Sequence, residues 1–221
     1  MAKIVRAEIV MVDLKPKVKR VDAIQSFVSQ ETPIVRITDA DGVTGTGYSY
    51  TIGTGGPSVM ALLEKTLLPA IIGREAYDIE RIWRDLTFLT HATTVGAITA
   101  IALAAIDTAL WDLKAVKLGL PLHKLAGGAQ ADIPLYTTEG GWLHLETEAL
   151  VEDALKAKAD GFSGCKLKVG RPLSEDAARI GAVREAVGPA FEIFTDANQA
   201  FNVDEAVRRA AVYQRLGIGW L

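Results

Sequence analysis

The sequence predicts an α+β unit followed by a β/α unit with parallel strands, and two observations lead to this assignment. Alternating segments rich in Val and Ile dominate roughly the first fifty residues, and helical patterns then follow one another without further strands. From about residue 131 onwards, strand-like and helical segments alternate. Segregated strands and helices are typical of α+β domains, whereas β–α alternation indicates parallel strands joined by crossover helices. We therefore predict two units, at 1–128 and 129–221.

The first unit begins with strands and continues with helices. The segment "KIVRAEIVMVDLK" alternates, and "PIVRITDADGVTGTGYSY" contains two strand-like runs around Asp41 and Gly42, a strong hairpin signal. The glycine-rich "TIGTGGPS" matches no phosphate-binding pattern, so we interpret it as a loop. Helical patterns follow at about 58–68, 77–89 and 94–117.

The second unit has a regular β/α rhythm. Its predicted strands are "DIPLYTT", "GCKLKV" and "FEIFTDAN", and its predicted helices cover about 147–160, 174–187 and 203–216. The final "GIGWL" is predicted to begin one more strand.

Composition narrows the class of function. The net charge of −3 leaves no basic excess for a phosphate backbone, so we expect no nucleic-acid partner. The single cysteine, Cys165, excludes an internal disulfide and is compatible with a reducing compartment. The longest apolar run, 95–106, is too short to cross a bilayer, and the N-terminus lacks an apolar signal core. We therefore expect a soluble, cytoplasmic protein without a membrane partner.

Two lysines alternate with apolar residues in "GCKLKVG". Cys165, Leu167 and Val169 share one face of the predicted strand, and Lys166 and Lys168 share the other. If helices cover the apolar face, both ammonium groups point to the opposite side of the sheet. Because an unpaired buried ammonium group is costly, that side must supply anions.

The next predicted strand supplies such an anion. Asp196 and Asn198 share a parity near the end of "FEIFTDANQ", and neighbouring strands lie about 4.8 Å apart. The Asp196 carboxylate should therefore reach the same pocket as the lysines. Carboxylate and amide oxygens are hard donors that suit Mg²⁺ better than Zn²⁺. Taken separately, a KxK strand is usually a solvated face and a DxN a turn, so the argument depends on their combination.

Four stretches together resemble the mandelate racemase/muconate lactonizing branch of the enolase superfamily. They are "AIDTALWDLKAVKLGLPLHKLAGG", "GCKLKVG", "DANQAF" and "GIGWL". The first departs from the family's usual pattern at Val116 and Ala126, which look like packing positions. The resemblance implies an N-terminal α+β capping domain followed by a (β/α)-barrel domain, which is TIM-like and incomplete in this chain.

The resemblance also implies a reaction. Family members remove the proton α to a carboxylate through an enediolate and use Mg²⁺ as cofactor. By resemblance, Lys168 is the base, Lys166 is its catalytic partner facing the substrate carboxylate, and Asp196 is a metal ligand. Asn198, Thr138 and Tyr50 are implied as substrate-binding residues, the last two in loops that border the pocket. The expected partner is a small carboxylate, either a hydroxy acid or an acid sugar, and the expected assembly is a homo-oligomer.

Several alternatives stay open at the level of sequence. Racemase or acid-sugar dehydratase activity is favoured, while a muconate-type cycloisomerase or a dipeptide epimerase uses the same pattern. A barrel of this kind takes about 250 residues, and only about three β/α units and the start of a fourth strand follow residue 129. The remaining ligands and any second base would then come from a longer or a second chain. A non-catalytic fragment is the alternative of another class.

Overall fold

The computed structural model describes residues 2–94 and 96–221 and divides the chain into two compact units. The first unit comprises the residues up to Pro16 together with Val28–Ala129, and the second comprises Lys17–Phe27 and Gln130–Leu221. The predicted division between 128 and 129 stays a prediction. The structure adds that the short segment Lys17–Phe27 packs with the second unit, although sequence order placed it within the first.

The sheet of the first unit is an antiparallel meander in the order β1–β2–β3. Its strands are β1 (Ile4–Asp13), β2 (Glu31–Asp39) and β3 (Thr44–Tyr48). At the β2–β3 turn, the Asp39 carboxylate accepts hydrogen bonds from the backbone N–H groups of Asp41 and Val43, each at 3.0 Å. The hairpin predicted around Asp41 and Gly42 is therefore confirmed.

The helices of the first unit pack against this sheet and against one another. They are α1 (Gly56–Leu62), α2 (Leu68–Ile71), α3 (Ile79–Leu89), α4 (Ala97–Leu118) and α5 (Leu122–Leu125), with a π-helical turn at Leu63–Leu67 joining the first two. The long helix α4 approaches β3 so closely that a Cβ atom on Gly47 would lie 2.2 Å from the carbonyl oxygen of Ala105. Glycine on the strand and alanine on the helix thus permit the contact of backbone with backbone.

The second unit contains a parallel sheet in the order β4–β5–β6. Its strands are β4 (Tyr136–Thr137), β5 (Gly164–Lys168) and β6 (Glu192–Asp196), and its helices are α6 (Thr147–Ala159), α7 (Leu173–Val187) and α8 (Val203–Arg215). Ile218 forms a parallel bridge with Ile193, so the chain begins a fourth strand as predicted. The strand predicted over "DIPLYTT" is shorter than expected, because Ile133 and Leu135 are exposed and only two residues pair with β5.

The core of the second unit lies between the sheet and its helices. Cys165, Leu167 and Val169 are buried there together with apolar residues of α6 and α7. This arrangement confirms the prediction that the apolar face of "GCKLKV" is covered by helices. It also assigns the lysines of β5 to the opposite face. Among residues 2–94 and 96–221, no helix is both long enough and apolar enough to span a membrane.

Candidate functional site

The strands β5 and β6 bring two lysines and an aspartate together on the face opposite the helices. Lys168 pairs in register with Asp196, and Lys166 pairs with Phe194 two residues earlier. Both ammonium groups donate to the same carboxylate oxygen, Oδ2 of Asp196, at 2.9 Å from Lys166 Nζ and 2.7 Å from Lys168 Nζ. The convergence follows from strand alternation, because period-two parity places both lysines on the face that carries Asp196.

Asn198 completes this cluster from the loop after β6. Its side-chain oxygen accepts from Lys168 Nζ at 2.9 Å, and its backbone N–H donates to Oδ1 of Asp196 at 2.8 Å. The residue has a positive φ of 51°, a left-handed conformation that asparagine tolerates better than most residues. Alternation predicted that Asn198 continues the strand, whereas β6 ends at Asp196 and the backbone has already turned. The side chain nevertheless reaches the lysine.

The local charges keep Asp196 ionised. Burial alone would raise the pKa of this carboxyl group, but hydrogen bonds from Lys168, Lys166 and the Asn198 backbone outweigh burial and hold its pKa well below the usual range. The Lys168 side chain is 8% exposed, compared with 22% for Asp196. The cluster therefore combines two ammonium groups with one carboxylate in a partly desolvated position, where charges interact more strongly than in water.

A glycine after β4 allows the neighbouring loop to contact β5. The carbonyl of Gly141 accepts from the backbone N–H of Lys168 at 2.7 Å. A Cβ atom at position 141 would lie 1.9 Å from the carbonyl oxygen of Lys166, so no other residue fits here without moving the strand. This contact places the following residue, Trp142, beside the lysine cluster.

Trp142 is a site residue that the sequence argument missed. Its ring centroid lies 5.6 Å from Lys168 Nζ, within the range of a cation–π contact, and its side chain is almost fully buried. Its Nε1–H donates to Glu139 at 3.1 Å, and Glu139 also accepts from Arg20 at 2.6 Å. A bulky aromatic residue directly after two glycines was the available signal, because a glycine pair permits close approach of the residue that follows.

Two other residues, Thr138 and Tyr50, were predicted to bind substrate. Neither forms a hydrogen bond with the lysine cluster among the contacts that the structure describes. Thr138 directly follows β4 in sequence, and its side chain is exposed in the loop. Tyr50 belongs to the first unit, where it is 52% exposed and lines an apolar groove of about 900 Å³ together with Ile98 and Ile101. Both assignments stay predictions.

The chemistry of the cluster suits a divalent cation only in part. The Asp196 carboxylate is a hard oxygen donor, the type that Mg²⁺ prefers. However, the residues that the structure describes contain no group of three or more His, Cys, Asp or Glu side chains that could hold a metal ion. Asp196 could thus serve as one ligand, and further ligands would have to come from other strands.

Comparison with known proteins identifies the class. Residues 6–127 match the family described as the N-terminal domain of mandelate racemase/muconate lactonizing enzymes, and residues 149–221 match the enolase C-terminal domain-like family. The chain therefore belongs to the mandelate racemase/muconate lactonizing enzyme family of the enolase superfamily. A capping domain followed by an incomplete barrel is its fold, as predicted.

Individual relatives make the comparison more specific. The chain is 40% identical over 193 residues to a 3,6-anhydro-α-L-galactonate cycloisomerase of Streptomyces coelicolor, a match that covers 85% of this chain and 52% of the relative. It superposes with a TM-score of 0.92 and 35% identity on a racemase of the same species solved with bound magnesium, covering 98% of this chain and 61% of that one.

A third comparison involves a liganded enzyme. L-talarate/galactarate dehydratase of Salmonella typhimurium, solved with Mg and L-lyxarohydroxamate, matches with a TM-score of 0.90 and 30% identity, over 99% of this chain and 57% of the other. The chain spans about half the length of the curated relatives that it matches.

Proposed function

We propose that the protein carrying this chain removes the proton α to the carboxylate of an acid sugar in a Mg²⁺-dependent reaction. The single observation that carries the proposal is the convergence of Lys166 and Lys168 on Asp196. An α-proton beside a carboxylate is very weakly acidic, and its removal gives an enediolate with additional negative charge on the carboxylate oxygens. A site that concentrates positive charge at this position lowers the barrier.

Each residue has a distinct role in this proposal. By resemblance to the family, Lys168 accepts the proton in its neutral amine form, and its side chain is the less exposed of the two lysines. Lys166 faces the substrate carboxylate and contributes a second positive charge. Asn198 offers an amide to a substrate hydroxyl group, and Asp196 would hold the metal ion. Bound Mg²⁺ would stabilise negative charge as it develops on the substrate.

The substrate class is inferred from the relatives. Enzymes named for talarate, galactarate and 3,6-anhydro-galactonate share 30–40% identity with this chain, and these substrates are sugar-derived acids. We propose first that proton removal is followed by dehydration or racemisation of the substrate. Cycloisomerisation is a second candidate, and the relative that is 40% identical supports it. Both outcomes begin with the same removal of the α-proton.

The proposed reaction requires the remaining strands of the barrel. Three strands and the start of a fourth cannot surround a substrate, so we propose that the rest of the barrel comes from a longer or a second chain. We also propose a homo-oligomer, as the family resemblance implies. Thr138 and Tyr50 remain proposed as residues that border the substrate.

Exchange of the substrate α-proton with solvent deuterium tests the proposed function. A panel of acid sugars, including galactarate and talarate, is incubated with Mg²⁺ in D₂O with a protein that carries the whole barrel. We expect Lys168→Ala to abolish exchange on one stereochemical face while Mg²⁺ binding is retained. Lys156→Ala serves as the matched control, because Lys156 is an exposed lysine of α6 with a 70% exposed side chain. Undiminished exchange in Lys168→Ala would remove Lys168 as the base.

A further inference from the structure

Trp142 lies where the segment Lys17–Phe27 meets the lysine cluster of the second unit. Lys168 Nζ lies over its ring, 5.6 Å from the centroid. The ring of Phe27 meets it edge-on with centroids 5.5 Å apart, and the guanidinium carbon of Arg20 lies 5.8 Å from the centroid. The same indole thus contacts the proposed base and two residues of a segment distant in sequence.

Hydrogen bonds fix the orientation of this ring. Trp142 Nε1 donates to Oε2 of Glu139 at 3.1 Å, and the other oxygen, Oε1, accepts from Arg20 Nη2 at 2.6 Å. Glu139 therefore holds Trp142 with one oxygen and Arg20 with the other. The ring cannot rotate without breaking the bond to Glu139, and the Arg20 bond attaches the arrangement to the segment Lys17–Phe27.

The backbone reinforces this attachment at two further points. The N–H of Leu143 donates to the carbonyl of Val21 at 2.9 Å. A Cβ atom on Gly170, two residues after Lys168, would lie 2.5 Å from Cβ of Ala23, so the segment also abuts the loop that follows β5. Segment 17–27 is therefore joined to both loops that flank the proposed base.

The ammonium group of Lys168 also has polar partners. Asp196 Oδ2 and Asn198 Oδ1 accept from its ammonium group at 2.7 and 2.9 Å. A lysine side chain has four rotatable bonds, and hydrogen bonds to its terminal atom alone leave the methylene chain free to adopt several rotamers. The indole adds an attractive aromatic contact at 5.6 Å, which favours the lysine rotamers that keep the ammonium group beside both the ring and Asp196.

We propose that Trp142 is a positioning residue for Lys168 and that segment 17–27 sets the position of Trp142 through Arg20 and Phe27. The contact between indole and ammonium group stands without any assumption about activity. Its consequence for catalysis rests on the proposed function, in which Lys168 is the base. Displacement of the indole should reduce the fraction of molecules in which Lys168 Nζ is correctly placed, with little effect on substrate binding.

The position of Lys168 is measured by NMR on this chain after ¹³C labelling of lysine. An aromatic ring beside the side chain shifts the ε-methylene protons of Lys168 upfield, and replacement by Arg assigns the signal. We expect this shift in the wild type, a smaller one in Trp142→Phe, and values close to those of exposed Lys156 in Trp142→Leu. An ε-methylene signal that is identical in the wild type and Trp142→Leu would overturn the proposal.

A separate substitution, Arg20→Met, tests the role of segment 17–27. Arg20→Met removes the bond to Glu139 but keeps the indole, so we expect an intermediate shift of the Lys168 signal. Because Arg20 lies outside the core, this variant also keeps the proposal testable if Trp142→Leu does not fold. A Lys168 signal unaffected by Arg20→Met would overturn the role of the segment.

Kinetics in a protein with the complete barrel distinguish positioning from a purely structural role. We expect Trp142→Leu to lower kcat by roughly ten- to a hundred-fold with KM nearly unchanged, because misplacement of a reacting group by about 1 Å costs on this scale. Partial recovery is expected in Trp142→Phe. A loss confined to KM would contradict the proposal. If the wild type shows no exchange of the α-proton, the proposed function fails, while the NMR result still decides the contact.

Discussion

The buried ion pair between Asp176 and Arg209 provides the most quantitative test of how the second unit is held together. Asp176 lies in the first turn of α7 with a fully buried side chain, and Arg209 of α8 is 7% exposed. Arg209 Nη1 donates to Asp176 Oδ2 at 2.7 Å, and the same oxygen accepts from the N–H of Gly170 at 2.8 Å. Arg209 Nη2 also donates to the carbonyl of Arg171 at 2.9 Å. The pair thus anchors the loop that follows the lysine-bearing strand.

The expected magnitude follows from what each substitution leaves behind. In Arg209→Met, Asp176 keeps only the bond from Gly170 and a distant one from the Tyr213 hydroxyl at 3.4 Å. A buried charge deprived of its partner costs about 3–5 kcal/mol. In the double variant Asp176→Leu/Arg209→Met neither charge of this pair is left buried. The principal losses are the acceptor for Gly170 and the donor to the Arg171 carbonyl, about 1–3 kcal/mol. The double variant should therefore be more stable than Arg209→Met alone.

Urea unfolding combined with hydrogen exchange of individual peptides measures these differences. Peptides of the first unit serve as an internal reference, and Arg208→Met is the matched control. Arg208 neighbours Arg209, but its side chain is 62% exposed and pairs with Glu205 at the surface. The control should cost less than about 1 kcal/mol. If Arg209→Met costs no more than Arg208→Met, or if the double variant is the least stable, the reasoning about the buried pair is refuted.

Three further predictions concern close packing, a buried thiol and acid stability. Gly47→Ala should destabilise the first unit by more than about 2 kcal/mol, because the added Cβ lies 2.2 Å from the Ala105 carbonyl oxygen. Gly181→Ala is the control, since its added Cβ would meet free space and should not destabilise the second unit. Burial raises the pKa of Cys165 to about 11, so a thiol reagent at pH 8 should react only after unfolding, and rapid labelling of the native chain would contradict this. The pKa of Asp196 is lower in the folded than in the unfolded state, where it is about 3.9. Its stabilising contribution is therefore complete above about pH 4 and lost as the pH falls, so the free energy of unfolding of Asp196→Asn should depend less on acid pH.

The part of the site that lies on strands could be predicted from sequence, since alternation alone assigns each residue to a face. Cys165 and Leu167 indicated the covered side of β5, and the same parity assigned Lys166 and Lys168 to the side of Asp196. The register between strands was not available from the pattern. The register could be inferred only by assuming that successive strands are parallel neighbours. The pairing of Lys168 with Asp196 confirms this assumption.

The part of the site formed by loops could not be predicted in the same way. Trp142 reaches Lys168 because Gly141 lets the loop contact β5, a contact that depends on tertiary geometry and leaves no periodic signal. Chain order likewise gave no indication that the segment Lys17–Phe27 packs with the second unit, because hydrogen bonds such as that of Arg20 to Glu139 join residues that are 119 positions apart. Asn198, predicted to point the same way as Asp196, has a left-handed backbone, and its side-chain oxygen accepts from Lys168 at 2.9 Å.

Calorimetric titration of Mg²⁺ into a protein with the complete barrel tests the central claim most directly, namely that Asp196 holds the metal ion beside the lysine pair. The account predicts that Asp196→Asn weakens Mg²⁺ binding by at least about ten-fold. Glu192→Gln should leave the affinity unchanged, because Glu192 lies on the same face of β6 but at the opposite end of the strand. An affinity that is the same in Asp196→Asn and in the wild type would contradict the account.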